Sequence, residues 1–279
     1  MKSQSSLDIP ALLRRYHLRP RHSLGQNFLV DEAGLDKIIA AAEVSPEHNV
    51  LEIGAGVGNL TRRLATQAHQ VVAVELDQRL IPPLRETLEG FTNVTLIQGD
   101  ILELNLSQII QEAPYLVVAN IPYYITSAVI RHLLENDPQP LRLVLTVQRE
   151  VADRICAQPN EMNLLALSVQ VYGQPQIKAL IPAGAFYPPP RVDSAVIRID
   201  LYSEPRISHD KLDYFFRLAK AGFSQKRKTL RNSLGGGMAW TREKTTRILE
   251  AAGIDPNRRA ETLSLEEWAA LTVSAEHAI

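Results

Sequence analysis

The feature that most restricts the fold of this chain is the segment 49–61, in which an apolar run passes directly into a glycine-rich turn. The run reads Asn-Val-Leu-Glu-Ile, and Gly54, Gly56 and Gly58 follow at alternate positions. Glycine permits a sharp turn at the end of a strand and lets a ligand approach the backbone closely. A strand that enters such a turn and then a helix is typical of an α/β protein with a doubly wound sheet.

The surrounding sequence alternates between strand-like and helical patterns, which predicts βαβ units around a buried, mostly parallel sheet. The predicted strands are Val50–Ile53, Gln70–Glu75, Val94–Gln98, Tyr115–Ala119 and Leu141–Gln148, with Leu164–Val171 and Val192–Leu201 closing the edge of the sheet. The predicted helices between them are Leu60–Ala68, Arg79–Leu88 and Ala128–Leu134.

After Pro205 the pattern turns helical. Helices are predicted at Lys211–Phe223, Thr241–Ala252 and Leu265–Leu271, with breaks at Gly235–Gly237 and Asp255–Pro256. The expected division is therefore an N-terminal extension, partly disordered, at 1–20, an α/β domain at 21–205 and a small helical domain at 206–279.

The formal net charge is only −1, but the positive charge is concentrated at the two ends of the chain. The run from Tyr214 to Thr241 contains no acidic residue. Its basic residues are Arg217, Lys220, Lys226, Arg227, Lys228 and Arg231. Such a tract either binds the phosphates of a nucleic acid or is a solvated helix face, and composition alone favours neither.

Several classes of protein are disfavoured by composition. No apolar run approaches the roughly 20 residues of a membrane span, and the N-terminus lacks an apolar signal core, so a cytoplasmic protein without a membrane partner is expected. Cys156 is the single cysteine, which excludes an internal disulfide and a cysteine-based zinc cluster. The seven histidines are scattered, and we expect no metal site.

Two acidic residues follow strand-like runs at positions suited to a nucleoside. Glu75 lies about 20 residues beyond the glycine turn and can accept hydrogen bonds from both ribose hydroxyls. Its alternative role is to cap the next helix, which Asp77 could do equally well. Asp100 can accept from an adenine amine, or else cap a short helix. Four candidate positions, including Gly54 and Asn120, then lie at successive strand ends.

The glycine spacing distinguishes two classes of nucleoside cofactor. The pattern G-x-G-x-G differs from the dinucleotide fingerprint G-x-G-x-x-G, whose last glycine belongs to a helix that holds a pyrophosphate. S-adenosylmethionine has no pyrophosphate and is therefore the expected cofactor. An NAD-dependent dehydrogenase remains a rival from another class, because it shares the sheet and the acidic ribose residue.

The motif Asn120-Ile-Pro-Tyr123 follows a buried strand and is suited to holding a planar amine. The conjugated N6 of adenine is a poor nucleophile, so a catalyst must orient its lone pair. The oxygen of Asn120 and a neighbouring carbonyl can accept the two N6 hydrogens, Pro122 fixes the backbone, and Tyr123 offers a stacking face. A purely structural turn is the alternative. For Phe186, these physical arguments alone favour core packing under the proline-rich turn.

Together these motifs resemble the ribosomal RNA adenine dimethyltransferases, in particular those that dimethylate two adjacent adenines of the small subunit. The resemblance runs from about residue 21 to 271. It rests on the segments Gly25–Leu29, Glu52–Gly58, Gly99–Asp100, Asn120–Tyr123, Phe186–Ser194 and Gln225–Leu234. It implies a class I, Rossmann-like methyltransferase with a mostly parallel seven-stranded sheet and a small C-terminal α-helical domain that engages RNA.

The resemblance also implies roles for individual residues. The residues expected to contact S-adenosylmethionine are Asn27, Leu29, Gly54, Glu75, Asp100 and Asn120. Tyr123 and Phe186 are expected to enclose the extruded adenine, which replaces the core-packing interpretation of Phe186. The chain departs from the usual family pattern at Tyr124, where Asn or His is common.

The expected activity is N6,N6-dimethylation of two adjacent adenines near the 3′ end of small-subunit (16S) rRNA during ribosome biogenesis. The expected partner is the immature 30S subunit, and the protein is expected to act as a monomer. The first rival is a 23S rRNA adenine N6-methyltransferase of the type that confers macrolide resistance. A non-catalytic ribosome assembly factor is a rival from a different class.

Overall fold

The computed structural model describes residues 6–110 and 114–277. The strands are β1 (Phe28–Leu29), β2 (Asn49–Ile53), β3 (Gln70–Glu75), β4 (Val94–Gln98), β5 (Tyr115–Asn120), β6 (Arg142–Gln148), β7 (Gly173–Ile181), β8 (Phe186–Tyr187) and β9 (Ser194–Leu201). The helices are α1 (Ile9–Arg15), α2 (Glu32–Ala42), α3 (Asn59–Ala65), α4 (Ile81–Thr87), α5 (Leu106–Ile109), α6 (Thr126–Glu135), α7 (Arg149–Ile155), α8 (Leu164–Gln170), α9 (His209–Phe223), α10 (Leu230–Met238), α11 (Arg242–Ala251) and α12 (Leu265–Glu276).

Seven strands form one sheet in the order β4-β3-β2-β5-β6-β9-β7. The pairs β3–β4, β2–β3, β2–β5 and β5–β6 are parallel, and β6–β9 is antiparallel. The central strands are apolar along almost their whole length because helices cover a parallel sheet on both faces. In β5, every residue before Asn120 is buried. The predicted fold class, α/β with a mostly parallel, Rossmann-like sheet of seven strands, is confirmed.

The strands β1 and β8 form a separate two-stranded antiparallel sheet. Phe28 pairs with Tyr187, and Leu29 pairs with Phe186. This pairing ties the segment before α2 to the segment before β9. Both side chains of the second pair are buried in the main apolar core.

The described residues form two compact units. The first contains the residues up to Ala152 together with Gln176–Leu201, and the second contains Asp153–Pro175 together with the residues from Tyr202 onward. This division differs from the expected boundary between residues 205 and 206. The difference arises because the segment 153–175 bonds to the C-terminal part, for instance through the amide of Arg206, which donates to the carbonyl of Val171 at 2.8 Å.

The segment 164–171, which was predicted to be a strand, is instead mostly the helix α8. Its apolar run is short, and periodicity alone does not separate a buried strand from a buried helix at that length. The local signal that favours a helix is Asn163, whose side chain accepts a hydrogen bond from the amide of Ala166 at 3.1 Å and caps the N-terminus of α8.

The glycines 235–237, which were predicted to break the C-terminal helices, lie inside α10. One of them, Gly237, allows α10 to pack closely against α9. A Cβ on Gly237 would lie 2.6 Å from the Cβ of Ala221. Gly237 therefore serves helix packing, while the chain turns after Met238, at Ala239.

The N-terminal extension, which was predicted to be partly disordered, contains the helix α1 within its described residues. Asp8 caps it by accepting from the amide of Ala11 at 2.9 Å. The buried residues Ile9, Leu12 and Leu13 pack in one cluster with Phe28, Val57 and Leu80. A short amphipathic helix of this kind is stabilised by the core that it covers, because seven residues alone are too few for a stable helix.

Two kinds of feature are absent from residues 6–110 and 114–277. No helix there is long and apolar enough to span a bilayer. No group of three or more His, Cys, Asp or Glu side chains there is arranged to bind a metal ion.

Candidate functional site

A cleft of about 790 Å³ opens at the carboxyl ends of the parallel strands. The strand order β4-β3-β2-β5 brings the predicted positions together in the sequence Asp100, Glu75, Gly54 and Asn120 along one edge of the sheet. Ligands of open α/β sheets bind at this edge, where loops leave the strands in opposite directions. Of the other predicted site residues, Asn27, Pro122 and Tyr123 also line the cleft.

The glycine turn forms the floor of the cleft. The amides of Gly54 and Ala55 both donate to the carbonyl of Val74, at 2.9 and 3.1 Å, which bends the chain sharply at the end of β2. Gly54 and Gly56 have φ values of +76° and +60°, in a region of backbone conformation that residues other than glycine rarely adopt. A Cβ on Gly56 would also approach the ring of Phe28 to 3.1 Å.

Glu75 ends β3 and is only 6% exposed. One carboxylate oxygen accepts from the amide of Gly56 at 2.7 Å, and the other accepts from the amide of Asp77 at 2.8 Å. Each oxygen keeps a further lone pair for a hydroxyl donor. Burial raises the pKa of Glu75, while the two backbone donors oppose that rise. The carboxylate is thus fixed against the glycine turn.

The alternative capping role suggested for Glu75 belongs to Asp77. Asp77 accepts from the amide of Arg79 at 3.2 Å and from the amide side chain of Gln26 at 2.9 Å. Burial opposes ionisation of Asp77, but its hydrogen bonds from Arg79 and Gln26 hold the pKa below the usual range. The bond to Gln26 also attaches the segment before β1 to the wall of the cleft.

Asp100 lies two residues beyond β4 and lines the cleft, where it is half-buried. One of its oxygens accepts from the amide of Leu102 at 3.0 Å. This bond closes a turn at 101–103 and does not cap a helix, since the next helix, α5, is capped by Asn105. It occupies one oxygen, and a carboxylate has capacity for a second donor such as an exocyclic amine.

Asn120 lies at the end of β5, opposite the segment that precedes β1. Its side-chain NH₂ donates to the carbonyl of Asn27 at 3.1 Å. Asn27 is held in turn by its own side chain, which donates to the carbonyl of Gly25 at 3.2 Å. The amide of Asn120 is thereby oriented with Oδ1 as its remaining acceptor, and no residue in the described ranges donates to that oxygen.

Tyr123 stands at the start of a 3-10 turn, 123–125, directly after Pro122. Its hydroxyl is 2.7 Å from Oγ of Ser194, which is fully buried at the start of β9. Burial raises the pKa of Tyr123, and the bond to Ser194 opposes this. The ring is therefore held at both ends of its side chain, by the backbone turn and by the hydroxyl.

Two predicted residues lie outside this cleft. Phe186 is 3% exposed and packs in the apolar core that includes Leu29, so the physical interpretation of core packing describes its surroundings. Leu29 lines a second, smaller cavity that shares Gly54, Gly56 and Asn120 with the main cleft. The carbonyl of Leu29 accepts from the side chain of Asn59 at 3.0 Å.

The cleft also contains side chains that the sequence did not single out. Leu76, directly after Glu75, is apolar yet 43% exposed. Ile101 likewise comes directly after the carboxylate of Asp100. An apolar side chain next to a strand-end carboxylate is suited to a planar ring. The sequence signal for Leu76 and Ile101 was adjacency to a predicted ligand residue. Tyr124, where the sequence departs from the usual family pattern, is the other exposed apolar residue of the cleft.

The basic tract belongs to the second unit, and most of it is solvent-exposed. Its exposed members are Arg217, Lys220, Lys226, Arg227 and Lys228. The last three form a continuous exposed loop before α10. Arg217 also stacks over the ring of Tyr214, at 5.1 Å. Arg231 differs, because it is half-buried and one guanidinium nitrogen donates to Asn257 at 3.3 Å.

The profile of the family described as "Ribosomal RNA adenine dimethylase" matches residues 17–271. The chain belongs to that family. A ribosomal RNA small subunit methyltransferase A from Dehalococcoides mccartyi (strain CBDB1) is 47% identical over 258 residues, which cover 92% of this chain and 89% of the relative.

Two solved structures resemble this member of the ribosomal RNA adenine dimethylase family over most of their length. A dimethyladenosine transferase from Plasmodium falciparum has a TM-score of 0.78 at 25% identity, with 90% of this chain and 98% of that chain covered. The 23S rRNA methyltransferase ErmE has a TM-score of 0.74 at 28% identity, with 90% and 100% covered.

S-adenosylmethionine is the methyl donor of the ribosomal RNA adenine dimethylase family. The residues of the cleft fit it. At Gly54 the glycine turn leaves open the space of a side chain, since a Cβ there would have only the carbonyl of Asn120 at 3.6 Å and Cδ of Pro122 at 3.9 Å nearby, and both residues line the cleft. The buried carboxylate of Glu75 offers two acceptors at the same turn. The cleft also presents the exposed apolar side chain of Leu76.

Proposed function

We propose that this protein transfers methyl groups from S-adenosylmethionine to N6 of two adjacent adenines near the 3′ end of small-subunit (16S) rRNA, until both are dimethylated. Family membership and the small-subunit relative support the reaction and the substrate class. The observation that carries the proposal is the orientation of Asn120, whose Oδ1 faces no described donor while its NH₂ is fixed.

The cofactor's nucleoside would be held by the carboxylates at the strand ends. Glu75 would accept from the ribose hydroxyls, and Asp100 would accept from the adenine amine. Gly54 permits close approach of the ligand to the backbone. Asn27 and Leu29, from the segment around β1, complete the proposed set of cofactor contacts together with Asn120.

The target adenine would lie between Asn120 and Tyr123. Oδ1 of Asn120 and a backbone carbonyl of the same turn would accept the two N6 hydrogens, which directs the lone pair away from them. The fixed ring of Tyr123 would stack on the base, and Pro122 would fix the direction of the turn. Phe186 would support the opposite wall; direct stacking requires its ring to become uncovered.

The sulfonium of S-adenosylmethionine supplies an activated methyl group, so no catalytic nucleophile is required. The chain's own task is to hold N6 in line and to exclude water. The proton leaves the alkylated amine after the transfer. Because a second methyl group follows the first, Asn120 must also accept an amine that carries only one hydrogen.

The second unit would bind the phosphates of the rRNA. We assign this role to Arg217, Lys220, Lys226, Arg227, Lys228 and Arg231. The exposed loop 226–228 is the strongest part of this assignment because three consecutive cationic side chains reach solvent there. Each phosphate contact releases counterions, so binding should weaken steeply as salt is raised.

We further propose the immature 30S subunit as the particle recognised, a monomer as the active form, and the cytoplasm as the place of action. Two alternatives are disfavoured. ErmE, which acts on 23S rRNA, is only 28% identical to this chain, whereas the small-subunit relative is 47% identical. A role in assembly without catalysis gives no reason for the fixed amide of Asn120.

The test is to incubate the protein with unmethylated small subunits, or separately with large subunits, and isotopically labelled S-adenosylmethionine. Modified nucleosides are then mapped by mass spectrometry. Dimethyladenosine at two adjacent positions of the small-subunit rRNA is expected. Label confined to the large subunit would replace the proposal with the first rival, and binding without label would replace it with the assembly factor.

A further inference from the structure

Tyr124 is an aromatic side chain of the cleft that the reaction described above does not use. It lines the cleft, yet 60% of it is exposed. A Cβ on Gly25 would lie 3.2 Å from Cδ1 and 3.3 Å from Cε1 of the ring, so one edge of Tyr124 rests against the backbone before β1. The hydroxyl forms no hydrogen bond with residues 6–110 or 114–277.

Tyr124 and Tyr123 are adjacent on a 3-10 turn, where successive side chains point about 120° apart. The hydroxyl of Tyr123 reaches Ser194 in the body of the α/β unit, whereas the ring of Tyr124 is largely in solvent. The two rings therefore cannot present their faces to the same base. A base that stacks on Tyr124 lies outside the pocket formed by Tyr123.

We propose that Tyr124 stacks on the nucleotide base next to the adenine in the pocket, and that it thereby contributes to the choice of adjacent purines. This inference rests on the proposed function. Extruding one adenine removes a stacking partner from its neighbour, which is one part of the cost of extrusion. An exposed aromatic ring at the mouth of the cleft replaces that partner, and purines offer the larger stacking surface.

The position of Tyr124 has a consequence for a substrate with two target adenines. The ring lies on one side of the pocket, so it meets the neighbour on the same side, 5′ or 3′, in both transfers. That neighbour is the other adenine in one transfer and a non-target nucleotide in the other. Loss of the ring should therefore reduce methylation of the two adenines unequally.

The experiment compares wild type, Tyr124→Ala and Tyr124→Phe on unmethylated small subunits, with each adenine quantified separately by mass spectrometry. Tyr124→Ala should lower kcat/KM for the more affected adenine by on the order of 5- to 100-fold, the range expected for one lost base–aromatic stack. Tyr124→Phe should stay within about twofold of wild type, since it keeps the ring. Equal rates for Tyr124→Ala and wild type would overturn the proposal.

Leu141→Ala is the matched control, because Leu141 is a 50% exposed apolar residue just before β6, at the opposite end of the strands from the cleft. It should behave as wild type. The affinity of each variant for S-adenosylmethionine, measured by titration calorimetry, should also be unchanged. If Tyr124→Ala lost affinity for the cofactor in proportion to its lost rate, the ring would be a structural part of the cofactor site and the proposal would be wrong.

A second arm changes the RNA instead of the protein. Small subunits are assembled with rRNA in which one of the two adenines is replaced by uridine, in each of the two possible ways. Wild type should methylate the remaining adenine more slowly in one of these substrates, the one in which uridine takes the place of the base that stacks on Tyr124. On that substrate Tyr124→Ala should be no slower than wild type. If the fold-losses caused by the uridine and by Tyr124→Ala multiplied when the two changes were combined, the two would act independently and the proposal would be overturned. The proposed function fails separately, if wild type methylates no adenine at all.

Discussion

At the scale of single residues, the site depends on polar groups that the backbone holds in place. Asn120 donates to the carbonyl of Asn27, and Glu75 accepts from the amides of Gly56 and Asp77. Groups that are fixed before the substrate arrives need no reorganisation during the reaction. The buried Glu52 is a further carboxyl near this site, and it makes a pH-dependent contribution to stability.

Burial raises the pKa of Glu52 to about 8; the hydroxyl of Thr61 opposes that rise and the charge of Glu75 adds to it. Between pH 4.5, the ordinary value, and about pH 8, the folded protein keeps a proton that the unfolded chain loses. Stability should therefore fall as pH rises through this window and level off above it. Glu52→Gln cannot ionise, so it should be more stable than wild type at pH 8.5 by a few kcal/mol, roughly, and show no such advantage near pH 4.

Urea denaturation of both proteins across this pH range measures the effect. Glu47→Gln is the control, since Glu47 is exposed and its replacement should leave the pH dependence as in wild type. A constant difference between Glu52→Gln and wild type at every pH would contradict the protonated state of Glu52.

The sequence predicted which residues stand at the strand ends, because each polar residue directly follows an apolar run of strand length. It also predicted that Asp77 could cap the next helix in place of Glu75. It could not predict the bond between Asn120 and Asn27, which joins residues 93 positions apart. The residues around Phe186 did indicate core packing, but they could not indicate that Leu29 is its partner, because that contact depends on the pairing of β1 with β8.

At the scale of elements, two helices differ from what the local sequence predicts. The apolar run of α8 fits both a strand and a helix at that length, which is why the sequence predicts a strand there, whereas the cap at Asn163 is a helix signal. The helix α10 was predicted to be broken because glycine disfavours helices, but close packing against α9 outweighs that preference. Short-range patterns are ambiguous where tertiary contacts decide.

The glycines of α10 give a matched pair of substitutions. Gly237→Ala should destabilise the protein by about 1–3 kcal/mol, since the new Cβ would lie 2.6 Å from the Cβ and 2.8 Å from the Cα of Ala221. Gly236→Ala should instead stabilise it by up to about 1 kcal/mol, because the nearest atom to its new Cβ is 3.9 Å away and alanine favours the helix. Thermal unfolding of both variants checks the prediction, and equal shifts would contradict the packing of α10 on α9.

The helix α1 supports the cofactor site through the apolar cluster that contains Phe28 and Val57. Leu13 is 2% exposed in this cluster, and Leu13→Ala should loosen it by about 2–5 kcal/mol. Since Phe28 packs on Gly56, the affinity for S-adenosylmethionine should fall at the same time.

Hydrogen exchange of residues 9–15 and calorimetric titration of the cofactor measure these two effects. Arg14→Ala is the control, because Arg14 is on the exposed side of the same helix. Unchanged cofactor affinity in Leu13→Ala, with α1 demonstrably loosened, would show that α1 does not support the site.

At the scale of the whole molecule, a near-neutral chain carries its positive charge in local concentrations. The existence of a C-terminal helical part was predictable from the change of periodicity after Pro205. Its exact boundary was not, because the segment 153–175 joins it through bonds distant in sequence, such as that from the amide of Met162 to the carbonyl of Glu261 at 3.1 Å. The two units are therefore not two consecutive segments of the chain, and a single boundary in the sequence cannot separate them.

The exposed loop 226–228 leads to a prediction about RNA affinity. Lys226→Ala should weaken binding to small-subunit rRNA, and the slope of log affinity against log salt should become shallower by about one. Lys178→Ala removes an equally exposed charge from the edge strand β7 and should change neither quantity. Binding measured at several salt concentrations tests both variants. Identical behaviour of the two would mean that the loop is only a solvated surface.

The most direct test of the account is single-turnover methylation of unmethylated small subunits by Asn120→Ala, with cofactor affinity measured on the same preparation. We expect the rate of adenine methylation to fall by about 10²- to 10³-fold while S-adenosylmethionine still binds, because the lost acceptor orients N6. Asn105→Ala, an exposed asparagine at the cap of α5, should match wild type. Methylation by Asn120→Ala at the wild-type rate would contradict the account.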